Sequence, residues 1–169
     1  MVMENIIPID DQPAFFSDYT PPDLAKRLGV ANAAPNEEMK EALLRGAVAA
    51  WPSGLDAHIA LYKFYFRTAR YRDAEKAVWA ALREAARQGG FTRNYRVLTP
   101  ADADWLEDHA VSRLFLFSLK ALGVIRLRRG RIALAKRVLE KLLALDPHDE
   151  IGGGAFLSTT EGFDDEDAT

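Results

Sequence analysis

The sequence predicts an all-α fold, an array of antiparallel helical hairpins, and three observations carry that expectation. Small, large and turn-forming residues between Leu122 and Pro147 fall where a helix–turn–helix unit needs them. Helix-start signals recur at Thr20-Pro21-Pro22-Asp23, Asn36-Glu37-Glu38 and Thr99-Pro100-Ala101-Asp102. Strand signals are almost absent: no alternating runs of valine, isoleucine or threonine and no Asn-Gly turn occur, and only residues 94–98 are a candidate strand.

Taken in order, residues 1–19 hold four acids, two prolines and no lysine or arginine, which reads as an extended acidic arm. The signal at Thr20 then opens a short helix that stops at Gly29. Asn36-Glu37-Glu38 starts the next, which carries Met39, Leu43, Leu44, Ala47 and Val48 inward and ends at Trp51-Pro52. A helical pair starts at Gly54 or Leu55, and Gly89-Gly90 closes it. An insertion covers about residues 89–112. From Thr99 one helix could run to Arg129, about 45 Å at 1.5 Å per residue, and a break near residues 109–112 is the alternative. Gly123 lies mid-helix, where glycine costs about 1 kcal/mol relative to alanine, so a closely approaching helix is expected there, with Ala135 as the facing small residue. Arg129-Gly130-Arg131 supplies the turn, with glycine at positive φ, and Asp146-Pro147 ends the last helix. Gly152-Gly153-Gly154 then marks the end of the packed body, placed at residues 20–150, and a Gly-rich, acidic tail fills residues 151–169.

Those residues resemble the tetratricopeptide repeat, a helical hairpin of about 34 residues. Leu61, Tyr65, Tyr71, Ala74 and Ala81 match the family's pattern in an upstream copy, while Tyr62 stands where the family has glycine. A tyrosine there either pushes the partner helix away or points into the groove, so this copy is expected to be splayed. Residues 36–51 look like the second helix of a third unit. Pro52 plus one repeat reaches Ala86, and from Ala86 to Pro147 is one repeat plus 27 residues, so the array is interrupted. The resemblance covers roughly residues 36–150.

The resemblance implies a concave groove lined by the first helix of each repeat. Its positions here are Asp56, Ile59, Lys63, Phe66 and Arg67, then Phe117, Lys120, Val124, Leu127 and Arg128. Each set forms one stripe at helical spacing, although Phe66 and Phe117 suit a core equally well. The mixture of aromatic, aliphatic and cationic groups fits an amphipathic helix or an acidic peptide. Family members that clamp a terminal carboxylate also use asparagines, which are missing at these positions.

Charge supplies a second candidate surface. The chain totals −3, yet four acids lie in residues 1–19 and five in residues 161–169, which leaves the intervening body at +6. Its densest cluster surrounds the last turn: Arg126, Arg128, Arg129, Arg131, Lys136 and Arg137. These cations complement a helix C-terminus or mark a footprint for an acidic protein. Nucleic acid is disfavoured, because the pI is about 5.7 and no nucleic-acid-binding motif accompanies them.

Several functions are disfavoured by what is missing. Without cysteine there are no disulfides, no thiol catalysis and no thiolate metal ligands. None of the three histidines has a second ligand at metal spacing, and neither HExxH, GxSxG nor a phosphate loop occurs. The expectation is a non-catalytic, cofactor-free, cytoplasmic adaptor or assembly factor with no membrane span, with self-association through exposed repeat ends as the alternative. A narrower resemblance points the same way. The acidic, proline-bearing start, Trp51-Pro52-Ser53-Gly54-Leu55, Gly89-Gly90-Phe91 and the Gly-rich acidic end are similar to small repeat proteins encoded among nitrogen-fixation genes. That implies an accessory factor docking on a nitrogenase-type metalloenzyme through protein contact.

Overall fold

A computed structural model describes residues 20–108 and 110–161, so the expectations for residues 1–19, His109 and residues 162–169 lie outside the described part. Within it the protein is all-α. Seven helices run in order: α1 (Pro22–Asn32), α2 (Glu37–Ala50), α3 (Leu55–Arg67), α4 (Tyr71–Gly89), α5 (Val111–Arg128), α6 (Ile132–Leu145) and the short α7 (Gly154–Ser158). Consecutive helices pack on one another as hairpins α1/α2, α3/α4 and α5/α6, and α4 against α5 is the most extensive contact between hairpins. No strand is present among the described residues.

Local chemistry sets most of the helix ends. Pro22 takes the first position of α1, where its missing N–H costs nothing. The Asn36 carboxamide accepts from the Met39 N–H at 2.8 Å at the start of α2. Trp51 and Asp146, each before a proline, leave helical geometry at nearly the same angles, φ −127° ψ 70° and φ −131° ψ 73°. No proline stands at position 86, and α4 runs on to Gly89, where Gly90 closes it at φ 72°.

The α3/α4 and α5/α6 turns are copies of one another. Arg70 N–H donates to the Tyr65 carbonyl and Arg131 N–H to the Arg126 carbonyl, each at 2.9 Å; Ala69 donates to Phe66 and Gly130 to Leu127 at 3.1 and 3.0 Å. The left-handed residue is Ala69 in the first (φ 58°) and Gly130 in the second (φ 74°).

One expectation about packing changes partner. A Cβ placed on Gly123 would lie 2.6 Å from a Leu139 methyl, so the close approach is real, but Leu139, one turn beyond Ala135, is the side chain that fills it. Tyr62 does not splay its hairpin into solvent. It is buried, with its hydroxyl 3.4 Å from Ser118 Oγ on α5, and so packs between hairpins.

The insertion resolves the choice left open for residues 100–129: the chain breaks before α5. Residues 94–98 form a 3-10 turn rather than a strand, because Asn94 Oδ1 accepts from the Arg96 N–H and turns the chain back. Thr99 and Asp102 make the capping box their spacing suggests, yet only one 3-10 turn follows. Extended backbone at Ala103 instead delivers Trp105 into the core. There it meets Phe91 at 4.9 Å and Phe115 at 5.9 Å, and its indole N–H donates to the Thr99 carbonyl. Burial of a large aromatic at about 25 cal/mol per Å² outweighs one more turn of marginal helix.

The packed body also extends past residue 150. The fully buried Asp146 carboxylate accepts from the backbone of Glu150 and Ile151, at 3.0 and 2.8 Å. That folds the chain back so that Ile151 and Phe156 enter the core. Gly153 permits the return: a Cβ there would stand 2.5 Å from Leu142. The glycines therefore allow close passage instead of ending the domain.

Candidate functional site

Three sets of residues bear on binding, and the groove stripe is the first. On α3, Asp56, Ile59, Lys63 and Phe66 are all buried, whereas Arg67 is exposed. On α5, Lys120, Val124 and Leu127 are buried, and Phe117 and Arg128 are half-buried. Lys120 donates to the Ile151 carbonyl at 2.9 Å and stands 5.9 Å from the Phe156 ring centroid. The Arg128 guanidinium lies 5.7 Å from the Phe66 ring and thereby ties α5 to α3. Most of the stripe is thus part of the packed body.

The basic turn is divided by a single acid. Glu75 of α4 receives Arg129 at 3.0 Å and Arg126 at 3.8 Å. These two arginines therefore join α4 to α5, while Arg131 is exposed beyond them. The sequence cluster marked the turn correctly as charged. What it did not reveal is that Glu75, more than fifty residues away, would absorb two of its members.

The third set was not anticipated. A cleft of about 420 Å³ opens between α4, α5 and the insertion, lined by Trp79, Arg83, Arg93, Asn94, Tyr95, Arg96 and Arg126. Trp79 and Tyr95 form its aromatic side, with ring centroids 6.2 Å apart. Arg126 lies beneath them, 5.8 Å from the Trp79 ring and 3.4 Å from the Tyr95 hydroxyl. A shallower depression continues past Tyr95 and Arg96 to Arg137, Glu140, Lys141 and Ala144. Lys141 Nζ donates to the Leu98 carbonyl and so secures the insertion to α6. One sequence signal pointed here: residues 89–101 contain two arginines and no acid.

The clearest shifts in ionisation lie elsewhere. Burial pushes the Tyr62 hydroxyl up to about 12. Tyr65 also rises to about 12, first by burial and then by donating to Glu41 at 2.9 Å. Arg70 pairs with Glu41 and holds that carboxyl below its usual value, as Arg87 does for Glu84. All four groups move away from neutral pH. His58 is buried, with Nε2 2.8 Å from the Pro52 carbonyl. Among the described residues no three histidine or acidic side chains are grouped to hold a metal, and no helix is long and apolar enough to cross a membrane. No family model, curated protein or solved structure matches the chain.

Proposed function

We propose that this chain is a non-catalytic protein-binding scaffold that docks on an acidic surface of a folded partner through the face made by α4 and the insertion. The observation that carries this reading is the charge on that face. Arg83, Arg93 and Arg96 are exposed, and none has a carboxylate within ion-pair distance among the described residues. By contrast, Arg70, Arg87, Arg113, Arg126 and Arg129 are all held by acids of this chain. Arginine in an unpaired cluster steers and anchors acidic partners, since its planar fork meets carboxylates two bonds at a time. The nitrogen-fixation resemblance makes a component of a nitrogenase-type metalloenzyme the first partner to try.

The experiment is a pull-down from the native host followed by titration of the captured partner. Reversal of Arg83, Arg93 and Arg96 to glutamate should weaken binding at least about tenfold, and wild-type affinity should fall steeply between about 50 and 500 mM salt. Unchanged affinity in the triple variant, with loss instead on Arg67→Glu or Arg131→Glu, would move the contact to the groove rim or the turn and overturn this assignment.

A further inference from the structure

The cleft beside Tyr95 has the features of a ligand site in its own right. About 420 Å³ falls within the range of small-molecule pockets, roughly 300–1,000 Å³. Four arginines line it and no acid does. Arg126 of the lining is 9% exposed, and its buried Nε–H makes no hydrogen bond, lying 3.8 Å from Glu75 Oε1. Glu75 does not make up the deficit. It sits 3.0 Å from Arg129 and 3.8 Å from Arg126, so one carboxylate is divided between two guanidiniums and positive charge is left under the cleft. Besides the arginines and Asn94 the lining is aromatic: Trp79 is half-buried and leaves part of its indole available for stacking, with Tyr95 beside it.

Charge and shape together select the ligand. A single carboxylate would satisfy one arginine of the four. A phosphate brings up to two negative charges and three acceptor oxygens, which suits a cluster of guanidinium forks. Phosphate alone would leave the Trp79 face unused, whereas a heteroaromatic ring carried on the same molecule would stack there. We propose that this cleft binds a nucleoside monophosphate or a close analogue, its phosphate held by Arg93, Arg96 and Arg126 and its ring against Trp79. Arg83, four residues beyond Trp79 and so on the same face of α4, closes the rim over the ligand.

The assignment goes beyond the docking reading and is tested without any partner. Purified full-length protein is titrated at about 150 mM salt with AMP, inorganic phosphate, adenosine and hexaglutamate, by calorimetry and by tryptophan fluorescence. AMP should bind at least about tenfold more tightly than phosphate or adenosine and change the fluorescence. Arg93→Ala/Arg96→Ala, at exposed positions that leave the helical circular dichroism intact, should weaken AMP at least about tenfold. Trp79→Leu should reduce AMP to the level of phosphate. Absence of AMP binding, equal affinity for AMP and phosphate, or AMP binding untouched by the arginine pair would each overturn the proposal. Hexaglutamate binding more tightly than AMP and displacing it would also overturn it, in favour of an acidic protein segment as the occupant. Docking on the partner can fail while AMP binds, or succeed while AMP does not, so the two readings stand or fall separately.

Discussion

The α3/α4 and α5/α6 hairpins, 61 residues apart, share one backbone and differ in how they use it. Their turns make the same hydrogen bonds, and their second helices start from almost the same angles, φ −90° with ψ 67° at Arg70 and 66° at Arg131. The side chains inside diverge. The second hairpin has Gly123 and brings Leu139 against the bare backbone; the first has Tyr62, with the smaller Val78 at the position equivalent to Leu139. Both solutions bury the interface, since Tyr62 is 3% exposed and Val78 and Leu139 are fully buried. A repeat therefore tolerates loss of its small residue when the facing side chain shrinks and a neighbouring helix, here α5 with Ser118, takes up the larger one.

The largest expected effect breaks this pairing directly. Gly123→Leu forces a side chain into a space where even a Cβ meets Leu139 at 2.6 Å, and should cost about 3 kcal/mol or more in urea unfolding. Tyr62→Leu removes ring and hydroxyl without adding volume and should cost about half of that. If Gly123→Leu melts with the wild type, the close approach is absent from the protein in solution.

A smaller pair of changes sharpens the comparison at the turns. Ala69 holds φ 58°, a conformation that strains any side chain, so Ala69→Gly should stabilise the protein by about 1 kcal/mol. Gly130→Ala should destabilise it by a similar amount, and for backbone reasons alone, because nothing lies within 4 Å of a Cβ there. Opposite signs in the two thermal midpoints are the expected result. Equal signs would mean that the turns differ in the folded protein.

The smallest effect appears only in alkali. Because Tyr62 ionises at about 12 in the fold and near 10 when exposed, its contribution is intact below pH 10 and is lost as pH rises from about 10 towards 12. Tyr62→Phe removes that loss. The wild type should therefore lose about 1 kcal/mol relative to the variant between pH 8 and pH 11, as read from unfolding free energies. A constant difference would place the hydroxyl in contact with water.

Legibility varied along the chain for physical reasons. Caps, prolines and the left-handed glycine act within a few residues, so Asn36, Trp51-Pro52, Gly130 and Asp146-Pro147 could be read from the sequence. The insertion could not, because its path is set by Trp105 reaching Phe91 and Phe115, and the capping box at Thr99 suggested more helix than one 3-10 turn. Of the ten residues expected to bind, Lys63, Phe66, Lys120 and Leu127 are buried, and Arg126 and Arg129 share Glu75. Arg67, Phe117, Arg128 and Arg131 keep some exposure. Helical register located the stripe, but burial depends on what else packs over it.

By itself the sequence determined an all-α chain of paired helices, several of their ends, and the left-handed glycine of the α5/α6 turn. These follow from forces that act over one or two helical turns. Only the tertiary structure decided that Leu139 fills the space at Gly123, that Ile151 and Phe156 belong to the core, and that Glu75 neutralises part of the basic turn while Arg83, Arg93 and Arg96 have no such acid among the described residues. Such outcomes depend on which distant groups share a space, and burial and ion pairing take their strength from that neighbourhood more than from the order of residues.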